Sequence, residues 1–442
     1  MKLPFQLVLM ALVATAHGQA ADGPRISGPL SLQAALQAAR LHSPSLAASA
    51  ADVNASNAAA DSVRSETLPS LSANGFGTSG SYSAIVNSSP NVMPPYSLGI
   101  PNGNFADANL MLMLPLFTGG LLNGRVGAAA AEGSAARAEG LETRSEVDLA
   151  VTTAYLRALL AKEVANVAQA KAIAMKQLVS VTQAQFEAGK GIEASVLRAR
   201  AELAQANRSL ASAQNDADKD LLDLYEAMGV DLSSEADLTD PLGQTGPARK
   251  EEEYLSLAAK DRGIVRAAES RLGATKQGAR AARGEGLPQV YGFAMSDGTS
   301  RGGFGSGTAL GLSVSFPVFD GGRTRADVAQ ARAKQAHAEA AVRDARLSVA
   351  KEVRQAWLDL KTAQSNTVSA GDSVAAAQSA YETTTLRVSA GKGILLEELD
   401  AIETLISART DLAQAHFDAQ LALAKLDWAA GIDPLGPTGG SK

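Results

Sequence analysis

The string LPLFTGGLLNGRV at Leu114–Val126 returns as FPVFDGGRTRADV at Phe316–Val328, displaced by 202 residues (317 − 115). The same displacement carries Tyr155 onto Trp357, Gly189 onto Gly391 and Gly229 onto Gly431. Upstream, LPSL at Leu68 and LPQV at Leu287 lie 219 apart (287 − 68), so the first copy is longer by 17 residues (219 − 202). The surplus falls in Asn87–Asn104, a stretch dense in Pro, Gly, Asn and Ser that reads as a loop. A period this long duplicates a whole structural unit, so any fold must build the same unit twice.

Each copy runs through the same order of patterns. A helical segment, about 30–66 and about 252–283, comes first. Two short alternating segments follow: 71–83 with 109–117 in one copy, 289–296 with 309–319 in the other. Their period of two reads as strands. Then comes a long helical pattern from Gly120 to Ala188, and from Gly322 to Ala390. Its apolar and small residues keep a 4-3 spacing from Val147 to Phe186, and again from Val349 to Val388. A sustained 3.5-residue repeat is the mark of coiled-coil packing, and alanines in the seam let helices approach closely. Helices this long span about 100 Å at a rise of about 1.5 Å per residue. The shorter helices are expected to stack end to end beside them. The string AGKG interrupts the pattern at Ala188–Gly191 and at Ala390–Gly393. Gly189 and Gly391 suit a left-handed helix end, with Gly191 and Gly393 keeping the reversal tight and Lys190 and Lys392 exposed. A phosphate loop is a poor reading, because no strand precedes these glycines and no G-x-x-x-x-G-K-[ST] is present.

The remaining features mostly exclude. A net charge of −6 and a pI near 5.4 give no case for nucleic acid. The chain has no cysteine, which removes disulfides, thiolate metal sites and lipidation through cysteine. Its four histidines are isolated in sequence, and no catalytic arrangement of acids or of Ser, His and Asp is found. The expectation is therefore no enzyme, no cofactor and no metal site. Residues 1–20 read as a secretory signal: Lys2, an apolar run from Leu7 to Ala14, and the small-x-small site Ala16-His17-Gly18. Nothing later reaches the roughly 18 apolar residues of a spanning helix, so a membrane crossing would have to use strands. Spanning sheets must close, and the smallest such barrels have about eight strands. Four per chain would need identical copies: two chains give eight, three give 12 with room for a pore.

With these features in hand, the sequence resembles the TolC-like outer-membrane factor family over nearly the whole mature chain. The resemblance is carried by the duplicated order of elements, by LPLFTGG and FPVFDGG, and by FEAGKGIEASVLRARAEL (Phe186–Leu203) and VSAGKGILLEELDAIETL (Val388–Leu405). It implies an α+β membrane protein: a trimeric 12-stranded β-barrel, four strands per chain, in outer-membrane lipid, continued by a long periplasmic α-helical barrel of coiled-coil helices. It implies a passive exit duct of a tripartite efflux or type I secretion system. Its partners would be two further copies of itself, a periplasmic adaptor (membrane fusion) protein, and an inner-membrane efflux pump or ABC secretion transporter. Many members carry a lipidated N-terminal cysteine; this chain has none. The expected division is 21–230 and 251–431 for the two repeats, with an equatorial linker at 231–250 and a tail at 432–442. The alternative is a periplasmic coiled-coil scaffold without a barrel, which leaves the four alternating segments unexplained.

The resemblance also assigns a site. Glu397 and Asp400 fall where the family carries its acidic periplasmic constriction, three residues apart on one helix face. The turns at Gly189, Lys190, Gly191 and at Gly391, Lys392, Gly393 are expected to form the periplasmic tip and meet the adaptor. The 202-residue displacement places Ser195 and Arg198 of the first copy at the positions of Glu397 and Asp400, and Ser195, Arg198 and Arg200 are the expected gate contacts, with Arg198 or Arg200 substituting for the family's gating bonds; Glu398 is expected to be solvated. Phe117, Phe316 and Phe319 are expected as interfacial anchors, and the insertion within Ser83–Ala106 as an extracellular loop.

Overall fold

The computed structural model describes residues 23–79, 84–87, 97–100, 105–243, 249–299, 303–390 and 392–436. In chain order the elements are β1 (Ser27–Leu30), α1 (Leu32–His42), α2 (Pro44–Ser65), β2 (Ser70–Thr78), β3 (Ala84–Asn87), β4 (Ser97–Ile100), β5 (Phe105–Phe117), α3 (Leu121–Glu187) and α4 (Glu193–Met228). Then come β6 (Glu235–Leu238), α5 (Glu251–Asp261), α6 (Gly263–Gly284), β7 (Gln289–Thr299), β8 (Gly303–Ser315), α7 (Arg323–Ser389) and α8 (Leu395–Ala429). The signal segment lies outside the described residues.

Two helices of 67 residues, α3 and α7, carry the molecule. Their starts explain the TGG and DGG strings. Gly119 and Gly120, like Gly321 and Gly322, take positive φ. The residue before each pair caps the helix: Thr118 Oγ1 accepts from Leu122 N at 3.4 Å, and Asp320 accepts from Gly322 N and Thr324 N, both at 2.9 Å. The 4-3 seam packs as expected, with every position from Val349 to Val388 buried or half-buried. At the tip of α3 the seam ends early, for Phe186 is 41% exposed.

The shorter helices stack end to end beside the long ones. Gly229, at the end of α4, lies so close to the α1–α2 joint that a Cβ would come 2.6 Å from the His42 carbonyl oxygen. Gly431, after α8, meets the α5–α6 joint at Asp261 and Arg262 in the same way. Each helical segment that precedes the strands was expected as one piece and is broken in two. Pro44 forces Ser43 out of the helical region (φ −61, ψ 122) in the first copy. No proline follows Arg262, yet it adopts nearly the same angles (φ −64, ψ 126). There the break has a tertiary cause. A Cβ on Gly263 would lie 2.5 Å from the Ala138 carbonyl oxygen of α3, and the Arg262 guanidinium is buried against Glu142 (2.9 Å), Glu352 (3.0 Å) and the Trp428 ring (4.2 Å).

The mid-section is tied across the two copies. β1 pairs in parallel with β6, a strand inside the segment expected as a linker. Tyr155 is fully buried, its hydroxyl 2.9 Å from the Leu30 carbonyl and 2.8 Å from Asp240. Arg40 joins Asp148 of α3 to Asp433 of the tail, each at 2.5 Å.

The main sheet has order β2-β5-β7-β8 and is antiparallel throughout, so a strand of one copy pairs with a strand of the other. Its register places Leu71, Leu112, Ala294 and Leu310 in one row on one face, and Ser72, Met111, Met295 and Ala309 in the next row on the other. The first face is open, with Leu310 88%, Leu312 68% and Val314 66% exposed, whereas Met111 on the second is 5% exposed. Two expectations need correction. The strand expected over 309–319 begins at Gly303 and ends at Ser315, leaving Phe316 and Phe319 beyond it. The insertion expected as pure loop contains a short antiparallel pair, β3 with β4; residues 88–96 and 101–104 lie outside the described residues.

Candidate functional site: the tips of the helical hairpins

Both long helices end by the same device. Lys190 N donates to the Gln185 carbonyl at 2.8 Å, and Lys392 N to the Arg387 carbonyl at 2.8 Å. In the first turn Gly189 takes φ +70 and its N–H reaches the Phe186 carbonyl at 2.9 Å, completing a Schellman motif. Gly391 lies outside the described residues. The second glycines permit the tight return: a Cβ on Gly393 would lie 2.9 Å from Val388 Cγ2 and 3.1 Å from Glu397 Oε2, and one on Gly191 3.2 Å from Phe186 N. Lys190 and Lys392 are exposed at the extreme end.

α8 packs against both α7 and α3, so the second hairpin leans on the first. Between the two turns is a cleft of about 800 Å³, whose walls include Thr182, Lys190, Ser195, Ile394 and Glu398. Further from the tip, Lys171 of α3 meets Glu403 of α8 at 2.5 Å.

The structure sorts the acids differently from the sequence reading. Glu397 and Asp400 are exposed, three residues apart on α8. Glu398 is only 8% exposed, not solvated. It continues the 4-3 stripe of Ile402 and Leu405 backwards by one step, which directs it into the seam; extrapolating that stripe would have found it. Burial pushes its carboxyl above the usual carboxylate range, opposed in part by the Thr385 hydroxyl.

The expected arginines are not brought to the acids. Arg198 is exposed, and Arg200 donates to Gln183 Oε1 at 3.2 Å. Both sit on α4, which packs against α3, whereas the acids sit on α8. The cation near Glu397 is Arg387 of α7, 3.7 Å away and itself exposed. Such an exposed pair contributes at most about 1 kcal/mol. Ser195 is half-buried in the cleft wall. The arrangement presents exposed carboxylates on one side of α8, Glu397 of them in a loose pair with Arg387, and a buried carboxyl on the other, with no metal cluster of His, Cys, Asp and Glu among the described residues.

Comparison with known proteins identifies the family and the fold. The outer membrane efflux protein family matches residues 35–230 and 254–432, one block per repeat. The outer membrane efflux protein BepC of Brucella suis biovar 1 (strain 1330) is 26% identical over 280 residues, 61% of this chain and 59% of that protein. Outer membrane protein TolC of Escherichia coli (strain K12) is 26% identical over 407 residues, 86% of this chain and 78% of that protein. The match to BepC thus spans about three fifths of that relative's length. The solved outer membrane protein VceC of Vibrio cholerae superposes with a TM-score of 0.74 over 90% of this chain and 96% of that one, at 20% identity, a likeness of fold. The chain belongs to the outer membrane efflux protein family, a TolC-like outer-membrane factor with a large periplasmic portion.

Proposed function

We propose that this chain is the outer-membrane exit duct of a tripartite efflux or type I secretion system, working as a passive homotrimeric channel. The observation that carries the reading is the β2-β5-β7-β8 sheet. Its strands of 9 to 13 residues have the length needed to cross a bilayer. Its open face is lined by Leu71, Leu112, Leu310, Leu312 and Val314, as contact with lipid requires. Its outer strands, β2 and β8, are each paired on one side only among the described residues. Hydrocarbon does not tolerate unpaired sheet edges, so the edge of one copy must meet the edge of the next, and three copies give a barrel of 12 strands. The helices support association of copies. α7 packs against α5, α6 and α8 and leaves one flank free, with Leu347, Leu358, Val368 and Leu386 exposed.

In the trimer Glu397 and Asp400 of each chain line the narrow periplasmic entrance, where a ring of like charge concentrates cations and repels anions. The hairpin tips with Lys190 and Lys392 dock a periplasmic adaptor, which links the duct to an inner-membrane pump or ABC transporter. Phe117, Phe316 and Phe319, between 53% and 90% exposed, sit at the strand-to-helix boundary as anchors in the lipid headgroup region. The test is single-channel recording in planar bilayers of the native protein beside the double variant Glu397→Ala, Asp400→Ala. The expected result is a cation-preferring conductance, with preference and block by multivalent cations both reduced in the variant. Release into the soluble periplasm without detergent, with no conductance, would favour the coiled-coil scaffold instead.

A further inference from the structure

Glu398 is a buried acid where a coiled-coil seam ordinarily carries an apolar side chain. It sits on α8 beside Leu399, which is 6% exposed, and its stripe continues through Ile402 and Leu405, 3% and 6% exposed. It also lines the cleft against the α3–α4 turn. No ion pair of Glu398 occurs among the described residues. The nearest polar influence, the Thr385 hydroxyl of α7, is itself buried and forms no hydrogen bond of good geometry. Thr385 and Glu398 both belong to the second hairpin; toward the first hairpin Glu398 fronts the cleft walled by Thr182, Lys190 and Ser195. A buried ionised carboxyl without a partner is costly, whereas the neutral acid is tolerated.

The charged groups on the neighbouring elements do not neutralise it. On α3, α4 and the turn between them these are Lys176, Glu187, Lys190, Glu193, Arg198 and Arg200, all exposed; Lys171 is engaged with Glu403. On α7 and its turn they are Glu382, Arg387 and Lys392, also exposed, with Arg387 directed to Glu397. Only burial and Thr385 act on the Glu398 carboxyl.

We propose that protonation of Glu398 sets how firmly the α7–α8 hairpin is held against α3 at the tip, so that the entrance is held shut more tightly in acid than at neutral pH. The proposal rests on the channel reading above. In the closed seam the acid is buried, and in a parted seam it meets water. The closed state therefore holds the proton more strongly. Its extra stability is complete below the ordinary carboxylate value, 4.5, and is lost as pH rises through the higher value of the buried group. Each pH unit of that difference changes the closed-to-open ratio by up to about tenfold per chain.

The experiment records single channels of the full-length protein from pH 4.5 to pH 8, beside Glu398→Gln, an uncharged near-isostere, and Glu398→Leu, which restores an apolar seam. The native channel is expected to open more as pH rises, by up to about tenfold per chain for each pH unit that separates the buried from the exposed acid, and both variants to keep the low-pH occupancy throughout. Glu397 and Asp400 also repel one another more as they ionise, so the comparison is repeated on the Glu397→Ala, Asp400→Ala background, where the Glu398-dependent part is expected to survive. A profile in Glu398→Gln and Glu398→Leu that superimposes on the native one overturns the proposal while leaving the channel reading intact. Absence of conductance from every form, native included, refutes the channel reading instead.

Discussion

Replacing Arg262 by alanine tests whether the second helix break is made by tertiary contacts. The guanidinium is 3% exposed; it lies 2.9 Å from Glu142, which is 14% exposed, and 3.0 Å from Glu352, which is 36% exposed. Nη1 also donates to the Trp428 carbonyl at 3.1 Å, and the group stacks 4.2 Å from the Trp428 ring. Removing one partner of a buried pair costs about 3–5 kcal/mol, chiefly because the other charge is stranded. Glu142 is the stranded charge here. Glu352 reaches water and contributes little. The cation–π contact is worth about 1–2 kcal/mol and is not independent of the ion pair. The expected loss is about 3 kcal/mol. It is read as a lowered urea midpoint in detergent from the fluorescence of Trp357 and Trp428, the only two tryptophans of the chain. Trp428 lies under the guanidinium and Trp357 packs against the same core, so the signal reports this joint. Ser43→Ala is the control. Ser43 occupies the same place in the first copy and caps α2 without a side-chain hydrogen bond. A loss below about 1 kcal/mol in Arg262→Ala, or one equal to that of Ser43→Ala, would refute the tertiary origin of the break.

Other consequences are equally direct. Burial raises the Asp427 carboxyl to about 6, against the attraction of Arg249, so the neutral acid is favoured in the fold and its contribution disappears as pH rises through that value. Asp427→Asn is expected to raise stability by about 2–3 kcal/mol at pH 7.5 and to change nothing at pH 3.5, measured by the same urea titration. Asp320 is held at about 2 by the Thr324 hydroxyl and the N–H groups of Thr324 and Gly322, so its contribution is present above 3.8 and fades as pH falls from there toward 2. In Asp320→Asn the first turn of α7 is expected to exchange its amide protons faster at pH 6, with the difference from native narrowing below pH 3. An epitope inserted at Pro95 is expected to bind antibody on intact cells; binding only after permeabilisation would reverse the orientation. Charge reversal at both Lys190 and Lys392 is expected to weaken export while trimers still assemble, as seen by drug susceptibility or secretion beside size-exclusion chromatography.

Much of this architecture is local in origin and therefore legible in the chain. The displacement of 202 residues announces two copies of one unit. The 4-3 spacing gives α3 and α7 a continuous seam over Val147–Phe186 and Val349–Val388, whatever they pack against. Thr118 and Asp320 with their glycine pairs start these helices, and the AGKG strings end them, through interactions spanning a few residues. Pro44 breaks its helix by the sterics of a single ring. Contacts between distant segments decided the rest. The break at Arg262 needs the Ala138 carbonyl of α3 and two glutamates from α3 and α7. β6 exists because β1, some two hundred residues away, supplies its hydrogen bonds. The repeat alone points to Arg198 and Arg200 as partners for the acids, but within one chain α4 packs on α3 and Arg387 of α7 stands beside Glu397. Glu398 reads as one more charge in an acidic run until α8 is laid against α3 and α7. A carboxyl's environment is set by which neighbours exclude its water, and those neighbours lie on helices that only the tertiary fold brings together.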